Sequence, residues 1–203
     1  MNDITVARDA NKETTAGHRL FIGISCPPLP AIRNLLEELQ QSSQRNALGL
    51  RIAREANLHI TLKFIGATAT SAIPQINAVM ERQLADIRCF DLHPQGLGNF
   101  PGLLWLGVAP APVLMALAAK LDSALADSGV SAETRPFVPH ISVAWLGRET
   151  GFDSEEWLRN YQHTSWGAIR VEAVSLYESV LVPEGVHYLP LHTVQLMHPP
   201  TVA

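Results

Sequence analysis

The sequence predicts an α+β fold of two pseudo-symmetric lobes, each a small, mostly antiparallel sheet backed by helices, with a cleft between them. Three observations lead there. The stretch His59-Ile60-Thr61-Leu62-Lys63-Phe64-Ile65-Gly66 returns 81 residues later as His140-Ile141-Ser142-Val143-Ala144-Trp145-Leu146-Gly147, with chemical type kept at every place except Lys63 against Ala144. Each copy follows the same strand-helix approach, over residues 19–65 and 103–146. Two long alternating runs, 168–182 and 186–195, meet at Pro183-Glu184-Gly185 as a hairpin would.

Taken in order, residues 1–17 are polar and without periodicity, and read as a mobile tail ahead of one bilobal domain over 18–198. Residues 19–25 form a short apolar strand stopped by Pro27 and Pro28. Ile32, Leu35, Leu36 and Leu39 then recur at helical spacing, giving a helix over about 30–41, with the polar run 40–46 as a loop. The first repeat strand ends at Gly66. Cap-type residues 68–71 precede Ile73, Ile76, Val79, Met80 and Leu84, which predict a helix over about 72–87. Period two returns at 89–93, residues 94–102 read as a turn-rich connection, and 103–108 as a strand. Pro112 suits a first helical turn, Leu114, Leu117, Ala118, Leu121 and Leu125 share a face, and Gly129 closes that helix. Residues 133–139 deliver the second repeat strand, and 152–161 read as a short acidic helix around Trp157.

Within each repeat, alternation places Ile60, Leu62 and Phe64 in a core and His59, Thr61 and Lys63 on the opposite face, with His140 and Ser142 matched likewise. A rise of about 3.3 Å per residue sets each imidazole some 6 to 7 Å from its partner hydroxyl, so one phosphate-sized group can touch both. The same alternation sends Trp145 to the core side with Val143, and core burial is the stronger reading for Trp105 as well.

At 203 residues and 47% hydrophobic, the chain can bury a proper core. No apolar run is long enough to span a bilayer and the first residues lack a signal peptide's apolar stretch, so a cytoplasmic monomer is expected. Cys26 and Cys89 are too few for a disulfide framework and read as buried free thiols. A net charge of -4 argues against holding long nucleic acid through a broad basic face, but not against a small site that reads one terminal phosphate.

Imidazole keeps both protonation states available near neutrality, so two facing histidines suit a reaction that needs a base and an acid in one turnover. Displacement at phosphorus has that need, since the attacking oxygen loses a proton while the departing one gains it. Thr61 and Ser142 would hold non-bridging oxygens, Lys63 would add positive charge if its strand stays regular, and Arg135, before Pro136, is a further candidate for phosphate or RNA contact against a surface ion pair. A lone His-x-Thr is usually an ordinary polar pair; its recurrence inside matching frames is what argues for function. A metal site is disfavoured because each motif supplies one histidine and no acid recurs beside it. No cofactor is expected.

On these residues the chain resembles the 2H phosphoesterases, in the RNA 2',3'-cyclic phosphodiesterase branch also called 2'-5' RNA ligase or LigT/ThpR. The likeness includes both His motifs, Arg19 to Ile22, Asn57-Leu58, Leu62 to Gly66, Leu104 to Val108, Arg135 to Phe137, Leu176 to Ser179 and His187-Tyr188. It implies an active site between the lobes, metal-independent opening of an RNA 2',3'-cyclic phosphate to a 2'-phosphomonoester, with reversible 2'-5' ligation as a further capacity, and roles for His59 as proton donor to the leaving 3'-oxygen and His140 as proton acceptor from water. The chain departs from the family where an arginine is common five residues past the second histidine and Trp145 stands instead. The alternatives carried with this reading are a phosphoesterase for a small cyclic nucleotide or another cyclic phosphate, and a binding module for RNA ends without turnover.

Overall fold

The computed structural model describes residues 17–147, 152–183 and 185–198; the tail expected at the start falls, apart from Gly17, outside them, as does Glu184 of the hairpin turn. Strands β1 (His18–Ser25) and β3 (His59–Thr68) pair antiparallel, and β1 also pairs β9 (Ala173–Val182), which pairs β10 (Gly185–Gln195), giving a sheet of order β10-β9-β1-β3. The second sheet has order β2-β7-β6-β5, from β2 (Arg51–Ile52), β7 (His140–Trp145), β6 (Leu103–Val108) and β5 (Pro94–Phe100). A two-stranded ribbon of β4 (Phe90–Leu92) and β8 (Ile169–Val171) completes the strands. Both histidines thus open a strand that pairs antiparallel with an earlier one, β3 on β1 and β7 on β6.

Four helices cover the sheets: α1 (Pro30–Arg45), α2 (Ile73–Leu84), α3 (Pro112–Ala126) and α4 (Ser154–Tyr161). The first three each begin with proline in the opening turn, where its missing N–H costs nothing. Their buried residues are the predicted stripes, Ile32, Leu35, Leu36 and Leu39 on α1 and Leu114, Leu117, Ala118, Leu121 and Leu125 on α3. The side chain of Asp153 caps α4 by accepting from the Glu155 and Glu156 amides. One connected apolar core reaches both sheets, from Leu20, Ile22 and Ile60 to Leu104, Ile141 and Val143. Cys26 is buried, with its thiol pushed up to about 12 by desolvation, whereas Cys89 is only half-buried; both are free.

Two predicted connections have regular structure instead. The polar run after Leu39 continues α1 to Arg45, because Ser43 turns inward and its hydroxyl accepts from the Leu50 amide. Residues 94–100 form β5, where Gly98 lies opposite Trp105 and a Cβ there would stand 2.2 Å from the indole, so glycine in this strand marks a close approach and not a turn.

The main correction concerns the repeat strands. Pairing of β3 with β1 runs Gly23 to Thr61 and then Ile22 to Lys63, leaving Leu62 without a partner. Pairing of β7 with β6 runs Trp105 to Ser142 and then Leu104 to Ala144, leaving Val143 without one. Each repeat therefore carries a β-bulge at the same place, three residues after its histidine, and a second bulge leaves out Ile65. Past the bulge the faces exchange. Leu62 and Lys63 are both buried, as are Val143 and Ala144, while Phe64, predicted to lie in the core, is 63% exposed. Lys63, expected beside His59 and Thr61, points the other way and is only 4% exposed. Its ammonium lies 2.5 Å from Asp122 Oδ1 on α3 and 2.5 Å from the Ser131 carbonyl, and Asp122 Oδ1 also accepts from the Glu133 amide at 3.0 Å. The hydrogen bond from Lys63 is the main reason that the Asp122 carboxyl is held below the ordinary carboxylate range.

Removing one member of a buried ion pair strands the other, which costs about 3 kcal/mol or more, whereas removing both costs far less. Asp122→Asn is expected to lower the stability measured by urea unfolding by about 3 kcal/mol, and Lys63→Met/Asp122→Asn to recover most of that loss. Because the folded Asp122 has a lowered pKa, the pair's contribution is present above the ordinary value of 3.8 and is lost as pH falls through the folded value. Asp122→Asn should therefore flatten the acid side of the stability profile.

Candidate active site

His59 and His140 are held by the same local device. The ring Nδ1 of His59 lies 2.7 Å from the Asn57 carbonyl oxygen, and that of His140 lies 2.7 Å from the Val138 carbonyl oxygen, two residues upstream in both cases. A carbonyl only accepts, so each Nδ1 carries a hydrogen and donates it, and Nε2 is left as the nitrogen that gains and loses a proton. His59 Nε2 lies 3.0 Å from Thr61 Oγ1. In the neutral ring the hydroxyl donates to Nε2; in the charged ring the direction reverses.

Aromatic side chains fix both rings. Phe21 and Tyr188 pack on His59 at centroid distances of 4.9 and 4.8 Å, the tyrosine edge-on. Phe100 meets His140 edge-on at 5.3 Å, and Trp105 lies at 6.0 Å. Phe21 also stacks on Tyr177 at 5.2 Å and sits 6.4 Å from Phe64, so the outward turn of Phe64 adds it to the aromatic surface on the His59 side. Burial lowers the His59 pKa below its ordinary 6.5; the Asn57 carbonyl pulls it back up, and the charge on His140 lowers it further. The strands that carry the two imidazoles, β3 and β7, pack against each other.

Thr61 and Ser142 occupy the strand faces of their histidines, both half-buried. Arg135 is 80% exposed and its Nε pairs with Glu133 at 3.3 Å, which is the surface ion pair weighed against phosphate contact. Lys63 belongs to the buried network described above and is not on the histidine face. Trp145, read from alternation as core, is half-buried and carries the Arg51 guanidinium 4.9 Å above its ring centroid, its place set by the cross-strand pair Arg51 to Trp145. Among the described residues no three His, Cys, Asp or Glu side chains gather as a metal would require. No helix among them is long and apolar enough to cross a membrane.

Sequence reasoning missed Phe21, Phe100 and Arg51. For Phe21 the signal was present, since Leu20, Ile22 and Ile24 take the core face of β1 and leave Phe21 for the other. Phe100 was hidden by reading its strand as a turn. The Nδ1 to carbonyl contacts had no signal, because they depend on backbone path.

Comparison with known proteins agrees with this geometry. The sequence model of the 2'-5' RNA ligase superfamily matches residues 27–180. The RNA 2',3'-cyclic phosphodiesterase of Methanothermobacter thermautotrophicus is 28% identical over 171 residues, covering 81% of this chain and 92% of its own. That of Thermotoga maritima is 28% identical over 184 residues, covering 87% and 95%. Among solved structures, Escherichia coli LigT complexed with 3'-AMP superposes with a TM-score of 0.69 at 25% identity, covering 89% of this chain and 98% of LigT. A Thermus thermophilus protein superposes at 0.71 with 23% identity, a likeness of fold alone. With a family match over most of its length, and two histidine strands bulged and anchored alike, this chain belongs to the 2'-5' RNA ligase superfamily of 2H phosphoesterases.

Proposed function

We propose that the protein hydrolyses RNA 2',3'-cyclic phosphate ends to 2'-phosphomonoesters without a metal ion, using His59 and His140 as acid and base. The observation that carries this reading is the matched pair of imidazoles, each with Nδ1 tied to a carbonyl and Nε2 left to titrate, on strands that pack against each other. His140 Nε2 takes a proton from water as the water oxygen bonds to phosphorus. The bond from phosphorus to O3' breaks, and His59 Nε2 gives its proton to that oxygen. Exchange with solvent then restores both rings. Thr61 and Ser142 donate to the non-bridging oxygens, where negative charge grows in the transition state. A 5'-hydroxyl in place of water gives a 2',5' linkage by the same step.

The lowered His59 pKa has a consequence for the acid role. In the free protein His59 loses its proton below pH 6.5, and the anionic phosphate of a bound substrate favours its return. Activity per encounter, kcat/KM, therefore follows a bell in pH, and the limb set by the free His59 ring lies on the acid side of 6.5.

Two experiments test this. With excess EDTA present, the wild type should open a cyclic-ended RNA and release a 2'-phosphate, and His59→Ala and His140→Ala should each lose about 100-fold or more in kcat/KM. A 3'-phosphate product, or full activity in either variant, overturns the assignment. Separately, Tyr188→Ala admits water to the His59 ring, so the ring's pKa followed by NMR should rise toward 6.5 and the limb of kcat/KM that His59 sets should move to higher pH with it. If the ring's pKa rises and neither limb moves, His59 is not one of the two titrating groups.

A further inference from the structure

One arginine from each sheet borders the aromatic surface around His59. Arg19 stands two residues before Phe21 on β1, on the same strand face, about 7 Å along the strand from the ring that supports His59. Its neighbour Leu20 faces the core, and the carboxylate paired in register with Leu20, Glu178, is taken by His18 at 2.7 Å. Arg51, on the edge strand of the other sheet, sets its guanidinium 4.9 Å from the ring centroid of Trp145, its cross-strand partner on β7. Both arginines are exposed, and among the described residues neither has a carboxylate partner. The charges of both act on the Tyr188 hydroxyl, partly offsetting the effect of its burial, and Tyr188 packs edge-on to His59. An exposed guanidinium beside an aromatic of each sheet, in a chain of net charge -4, supplies local positive charge for an anion.

We propose that Arg19 and Arg51 bind a phosphodiester of the RNA upstream of the cyclic end, so that the substrate is an oligonucleotide and not a cyclic mononucleotide. This rests on the phosphodiesterase reading for its chemistry, but not for its binding. The reacting phosphate belongs to the histidines and hydroxyls, and Arg19 lies further along β1, opposite Ala67 where Gly23 stands opposite Thr61. Stacking holds Arg51 in place without neutralising it, which leaves its N–H edge for phosphate oxygens.

The test compares a 2',3'-cyclic mononucleotide with a trinucleotide ending in the same cyclic phosphate. Wild type should favour the trinucleotide in kcat/KM. Arg19→Ala/Arg51→Ala should lose about tenfold on the trinucleotide and under about twofold on the mononucleotide, and Arg51→Lys should keep part of the advantage. Binding of the trinucleotide to His140→Ala, followed by fluorescence anisotropy against salt, should show a slope smaller by about 0.7 when both arginines are removed, the value for one neutralised phosphate on a single strand. Unchanged thermal unfolding confirms that the variants fold. Equal losses on both substrates would assign the arginines to the reacting phosphate, and no loss with an unchanged salt slope would remove them from the site; either result overturns the proposal. If wild type turns over neither substrate, the phosphodiesterase reading fails, and the salt slope alone decides for or against the subsite.

Discussion

One extra residue in each histidine strand governs the geometry of the site. Leu62 has no partner on β1 and Val143 none on β6, so the side-chain alternation that starts at His59 and His140 reverses at the fourth and fifth residues of each repeat. A regular strand would bury Phe64 and would set Lys63 beside the imidazole of His59. An ammonium there would disfavour protonation of His59 and draw the phosphate away from the two hydroxyls. The bulge instead sends the charge into the core and brings Phe64 to the working face. Its cost is one lost ladder hydrogen bond per strand, small against the re-aiming of two side chains.

Given that face, the anchoring of the rings follows from backbone alone. The carbonyl two residues before each histidine accepts from Nδ1, which fixes the tautomer and the ring plane together. The same device in both halves makes the imidazoles chemically alike, so any division of labour has to come from surroundings. For His59 the difference is visible. Phe21 and Tyr188 enclose it, and desolvation is the largest influence on its pKa. The aromatic residues are thus electrostatic elements as much as packing, since they set how readily the ring holds its proton.

The sequence carried the repeat, both histidines, their hydroxyls, the three long helices and the closing hairpin, because these rest on period and on residue type. It did not carry the bulges. Nothing in residues 59–66 distinguishes a regular strand from one with an extra residue, as Leu62, Val143 and their neighbours are acceptable on either pattern. The errors at Lys63 and Phe64 are therefore one error, a face reversed twice over, while Trp145 stays half-buried and packs against the core. The single mismatch of the repeat was nonetheless a hint. Lysine against alanine at equivalent places is odd if both face substrate, and intelligible if both are buried and only one has a carboxylate waiting.

That asymmetry also ties the halves together. Lys63 leaves the His59 strand, crosses the core to Asp122 on α3, and reaches the Ser131 carbonyl; Asp122 in turn holds the Glu133 amide in the segment that feeds the His140 strand. The ion pair therefore links the His59 strand to the approach of the His140 strand, through partly buried hydrogen bonds from Lys63 and an exposed one at Glu133. A second lysine at Ala144, fully buried, would need a carboxylate of its own and would add desolvation cost without joining anything new. A strut between the two histidine strands limits their relative motion more directly than the apolar core can, because dispersion contacts slide while a charged hydrogen bond does not.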